Sequence, residues 1–142
     1  MIFSKCTIQT SIKTITDEIR ARANLSQREW WVGLSDFFED DADSLFLKAP
    51  NPANENVQIV CSTSRFQLIF GGIVYFSSKD IHEVLWMAIT VHTVYDIQYP
   101  ECIKNLSIAV LQLNKCPFMI KQDEKISARV INKCKKIGIN LN

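Results

Sequence analysis

Val57-Gln58-Ile59-Val60-Cys61-Ser62, Arg65-Phe66-Gln67-Leu68-Ile69-Phe70, Gly71-Gly72 and Ile73-Val74-Tyr75-Phe76 together decide the fold class. In the first run Val57, Ile59 and Cys61 alternate with Gln58, Val60 and Ser62, the period of a strand. The next two runs flank a glycine pair that tolerates the positive φ angles of a two-residue primed turn, so they read as a hairpin. Three antiparallel strands in a meander are predicted over residues 57–76.

Both flanks carry a helical period instead. Downstream, Ser77-Ser78-Lys79-Asp80 starts a helix, with Asp80 and Glu83 near the positive end of its dipole. Ile81, Leu85, Ala88, His92 and Tyr95 form its apolar stripe, and Val84, Trp86 and Val91 widen it into the central helix of the domain. Pro100 opens a further helix carrying Ile103, Leu106, Val110 and Leu113. The last helix, Asp123–Ile137, buries Ile126, Val130, Cys134 and Ile137 and stops at Gly138. Upstream, Ile8, Ile12, Ile15 and Ile19 follow gaps of four, three and four. That stripe fits either an amphipathic helix on its own domain or a dimer seam. Ser26-Gln27-Arg28-Glu29 is a capping-box pattern for a helix from Gln27 to Phe38. Trp30, Leu34 and Phe37 or Phe38 share its face. Trp31 falls off it, either at an interface or beneath the following loop.

The expected architecture is therefore α+β: a three-stranded antiparallel meander packed against about five helices, in a single domain covering residues 1–142. Its parts are N-terminal helices over 6–38, an acidic, proline-containing loop over 39–56, strands over 57–76 and C-terminal helices over 78–137. Length agrees, since 142 residues suit one core, and an apolar content of 47% with eight Phe supplies its bulk. No stretch approaches the ~20 apolar residues of a membrane span, and no signal peptide is visible. Five cysteines without a C-x-x-C fit reduced thiols in the cytoplasm or nucleus. The two glycosylation sequons, at Asn24 and Asn105, read as chance in such a setting.

Few chemistries have their residues. The glycines stand at 33, 71, 72 and 138, which excludes phosphate-binding loops. His82 and His92, on one helix, lie about 15 Å apart along its axis and cannot share a site. Cys61 could meet either, but nothing around it marks an activated thiol. The acidic group Asp36, Glu39, Asp40, Asp41 and Asp43 lacks the spacing of an EF-hand. Carboxylates at a helix C-terminus oppose its dipole, which points to a cationic partner, the basic last helix in cis or in trans. No catalytic residue, metal or cofactor is expected.

A global polyanion binder is usually far more basic than this net charge of +1, so any nucleic-acid role must rest on a local patch. A local stripe of Lys121, Lys125, Arg129 and Lys133, with Lys136, would give weak, salt-sensitive contact with nucleic acid. The stretch from the glycine pair through Val94-Tyr95-Asp96-Ile97-Gln98-Tyr99-Pro100 to Asn105-Leu106 and Leu111-Gln112 resembles the C-terminal region of uncharacterised metazoan proteins. These are common in fish and invertebrates, some described as sterile-alpha-motif-containing and some in transposon-rich surroundings. The resemblance covers residues 70–113 and implies a eukaryotic intracellular module of mobile-element origin. It transfers no catalytic residue and makes Val94–Pro100 a structural corner. The expected function is protein association, as a homodimer or with another protein. It would use Ile8, Ile12, Ile15, Ile19, Trp30 and Trp31, with the basic helix as a nucleic-acid alternative.

Overall fold

The computed structural model describes residues 5–141, with side chains over 12–141. Six α-helices and four strands follow in the order α1 (Lys5–Ala23), α2 (Trp30–Phe37), α3 (Ala42–Leu45), β1 (Phe46–Leu47), β2 (Gln58–Cys61), β3 (Phe66–Phe70), β4 (Ile73–Ser78), α4 (Ile81–Val94), α5 (Lys104–Leu113) and α6 (Ala128–Lys136). A 3-10 turn, Pro117–Met119, lies between α5 and α6. The chain is α+β, and β2, β3 and β4 form the expected antiparallel meander.

Two details differ from the expectation. A fourth strand, β1, pairs in parallel with β2 at Phe46↔Ile59 and Leu47↔Val60, giving the order β1-β2-β3-β4. Two residues are too few to show a period, so the sequence reads them as loop. The helices number six among the described residues, because Ala42–Leu45 turns once before β1. The loop after β1 is held by Gln58, whose fully buried amide donates to the carbonyls of Asn51 and Asn54 and accepts from the Asn51 N–H, each at 2.9 Å. That explains why Gln58 is buried beside Ile59 and Val60, where alternation predicts an exposed side chain.

The hairpin has its predicted turn, with Gly71 and Gly72 at φ +62° and +80°. Between the pairs Leu68↔Phe76 and Ile69↔Val74, β4 carries one extra residue, Tyr75. The bulge breaks the alternation of the strand and twists its edge.

Helix α4 is central, packed against α1 and against β3 and β4. Val84, Leu85, Ala88, Ile89 and Val91 are essentially fully buried. Asp80 caps it, its carboxylate accepting from the His82 N–H at 2.9 Å. One apolar core runs from Ile12 and Ile19 through Leu34, Phe38, Ile59 and Leu68 to Ile103, Leu106 and Val130. Five helices end the same way, each with a left-handed residue just past its end: Asn24, Glu39, Asp96, Lys115 and Gly138. In each case the next N–H reaches back over the last turn, as from Ile97 to the His92 carbonyl and Cys116 to that of Leu111, both at 2.8 Å.

Three predicted helix starts move. The capping box does not form: α2 begins at Trp30, after Glu29, without a side-chain cap. Helix α5 begins at Lys104 rather than Pro100, because its cap comes from another part of the chain. Asp40 accepts from the Asn105 and Leu106 N–H groups at 3.0 and 2.9 Å, the bonds an N-cap side chain ordinarily supplies locally. Helix α6 begins at Ala128, since Ser127 caps it through the Val130 N–H.

Candidate interaction surface

Of the six residues expected at an interface, five have described side chains, and each of these is buried or half-buried in the chain itself. Ile12 and Ile19 are fully buried in the chain's own core, and Ile15 packs half-buried beside them, so this stripe closes an intramolecular seam. The side chain of Ile8 lies outside the described ones. Trp30 is also buried, with the Arg20 guanidinium 4.3 Å from its ring centroid and the His82 ring at 5.2 Å. Trp31 is half-buried, edge-on to Phe66 at 5.2 Å, and lines a shallow cleft with Arg28, Lys48 and Cys61. An interface anchor must be uncovered, and the domain itself covers Ile12, Ile19 and Trp30 fully and Ile15 and Trp31 in part.

The basic stripe is also broken. Its four-residue period requires one helix from Lys121 onward, but α6 starts seven residues later, so Lys121 and Lys125 do not share a helical face with Arg129 and Lys133. Glu39 takes Arg129 at 3.1 Å and Lys133 at 3.6 Å, while the Lys133 ammonium lies 4.7 Å from the Phe37 ring centroid. The acidic segment and basic helix therefore meet in cis. Lys121 is held by the Asp96 carboxylate at 3.3 Å and carbonyl at 2.8 Å. Lys125 and Lys136 are exposed.

A different surface is uncovered. The large exposed apolar side chains among the described residues are Ile73, Val74, Tyr75, Val94, Tyr95, Ile97 and Phe118. They gather at the hairpin tip, the end of α4 and the nearby 3-10 turn. Tyr95 stacks on Phe70 at 5.6 Å, Tyr75 stands edge-on to Phe70 and Tyr95, and Phe70 meets His92 at 5.5 Å. His92, Ile97, Tyr99 and Phe118 border a small cavity of about 160 Å³, which joins the 3-10 turn to this aromatic group. At Ile73 the exposure is 72% and at Val94 it is 69%, values of side chains that stand in solvent.

The base of the surface is firmly anchored. Buried Tyr99 donates its hydroxyl to the Ile89 carbonyl at 3.3 Å, and its N–H donates to Glu124 at 3.1 Å. Gln98 donates to Asp123 at 2.9 Å. Residues 96–99 are thus tied to residues 121–124 by three hydrogen bonds and the Asp96–Lys121 ion pair. The sequence did contain a signal for this surface: Ile73-Val74-Tyr75-Phe76 is an unbroken apolar run where a half-covered edge strand should alternate. Tyr95 also sits one residue past α4, outside the stripe that periodicity assigns to it.

The thiols of Cys61, Cys102, Cys116 and Cys134 are not activated as nucleophiles. Burial pushes the thiols of Cys61, Cys116 and Cys134 up, and that of Cys102 up to about 12, so they stay protonated and weakly nucleophilic. Burial lowers His92, whose Nδ1 lies 2.8 Å from the Ala88 carbonyl, and the ring is a neutral core histidine. No group of three or more metal-ligating side chains converges among the described residues. No helix among them is long and apolar enough to cross a membrane. No family model, curated protein or solved structure matches the chain.

Proposed function

We propose that the chain is a non-enzymatic association module that binds protein through the end of the molecule formed by Ile73, Val74, Tyr75, Val94, Tyr95 and Ile97. The observation that carries this reading is the gathering of the large exposed apolar side chains at one end of the molecule. A soluble domain ordinarily scatters such residues singly, whereas a contiguous patch rimmed by polar groups marks a contact site. Tyrosines with exposed ring faces and pinned backbones suit this role, because they lose little conformational freedom on binding. An intracellular setting belongs to the same proposal.

Nucleic-acid binding by Lys121, Lys125, Arg129, Lys133 and Lys136 draws less support, since Glu39 and Asp96 already neutralise three of these cations. The resemblance of residues 70–113 to the metazoan family adds no activity to either reading. A photoreactive amino acid at position 94, in the full chain expressed in cells, tests the association reading. Discrete adducts are expected at 94 and not at Asn56 in the loop before β2, and Ile73→Lys should suppress them. Equal labelling at both positions, or none at 94, would refute it.

A further inference from the structure

We infer that the partner of this surface is a second copy of the same chain, packed about a two-fold axis so that hairpin tip and α4 end meet their counterparts. The inference rests on the association reading above and names its occupant. Size is the first argument. With Ile73 and Val94 about seven-tenths exposed, Phe118 62% and Tyr95 53%, the seven side chains leave several hundred Å² of surface uncovered. With roughly 150–250 Å² for a fully exposed aromatic side chain and less for Val or Ile, this is a large part of the ~800 Å² that each partner contributes to a stable interface.

Charge is the second argument. A two-fold contact places like beside like, so a surface carrying net charge would repel its own copy. This one presents aliphatic and aromatic side chains. The ions that border it, Asp96 and Lys121, neutralise each other at 3.3 Å. An acidic or basic partner would find no opposite charge to read. A lipid surface would favour free cations around an apolar tip, and here the bordering lysine is already paired.

The edge of the sheet narrows the mode of contact. Among the described residues β4 is the last strand of the order β1-β2-β3-β4, next to β3. The bulge at Tyr75 interrupts the regular row of N–H and C=O groups that edge-to-edge pairing needs. The copies therefore meet through side chains of the tip and the α4 end rather than by extending one sheet into the other.

Sedimentation equilibrium of the full chain across the micromolar range tests this, beside Val74→Glu and Val94→Lys, with circular dichroism melting as the check on folding. The wild type should move with concentration from one chain's mass, 16.3 kDa, to twice that value. Each variant should melt like the dilute wild type yet dimerise more than about tenfold more weakly. A wild type that stays at one chain's mass, or a dimer that survives both substitutions, overturns the inference. So does co-sedimentation of the monomer with phosphatidylcholine–phosphatidylserine vesicles. If position 94 still forms adducts with a different protein, only the second-copy inference falls. If it forms none, the association reading falls with it.

Discussion

Asp40 offers the sharpest test of the energetics, because two opposing effects act on one carboxyl. The side chain is buried, and its oxygens accept from the Asn105 and Leu106 N–H groups at the start of α5. Those two bonds and the helix dipole favour the anion. Burial disfavours it more strongly, and Glu101 adds to the effect, so the carboxyl is pushed up from 3.8 to about 6. The folded chain then holds this proton more tightly than the unfolded chain does. The stabilisation is fully present below the unfolded value near 3.8 and is lost as the pH rises through about 6. Its full size is about 3 kcal/mol, of which about 2 kcal/mol is present at pH 4.5.

Asp40→Asn keeps the shape and one acceptor but cannot titrate. Urea unfolding followed by tryptophan fluorescence, for both proteins at pH 7.5 and 4.5, isolates the effect because every other titrating group cancels. The stability of the wild type relative to Asp40→Asn should rise by about 2 kcal/mol on acidification. If that difference instead falls as the pH falls, the amide bonds outweigh burial, the carboxyl lies below its ordinary range, and the reasoning fails.

The other predictions concern packing and backbone. Ile19→Ala, at a fully buried position, should cost about 3 kcal/mol in urea unfolding while leaving the mass of the folded protein in solution unchanged, since its contacts are intramolecular. Lys115→Gly should stabilise by about 0.5–1 kcal/mol, because Lys115 holds a left-handed φ of +58° just past α5. Gly138→Ala should destabilise by more than about 1 kcal/mol, since φ is +83° and a Cβ would run into the Arg22 guanidinium that donates to the Ile137 carbonyl. Thermal melting at fixed pH reads both signs.

Where the fold follows from local chemistry, the residues state it plainly. The hairpin needs only Gly71-Gly72 between apolar runs, and α4 needs only Asp80 and an apolar helical stripe. What local reading misplaces depends on partners far along the chain. Asp40 looks misplaced after α2 until α5 arrives, 65 residues later, to use it as a cap. The conflict between the acidic run and the α2 dipole was legible, and Glu39 resolves part of it by pairing with α6. The basic stripe fails because a period cannot show where a helix starts: Ser127 caps α6 and leaves Lys121 and Lys125 outside it. The isoleucine period in α1 correctly marks an apolar face, but period alone does not say whether that face meets its own domain or another.

Pairing of two copies through the hairpin tip and the end of α4, as proposed above, leaves a direct trace in solution. Hydrogen–deuterium exchange of the full chain, compared at low and high protein concentration, tests it residue by residue. Protection should increase with concentration over Ile73–Tyr75 and Tyr95–Ile97 and stay unchanged over α1 and α6. Concentration-dependent protection confined to α1 or α6, or none anywhere, would contradict it.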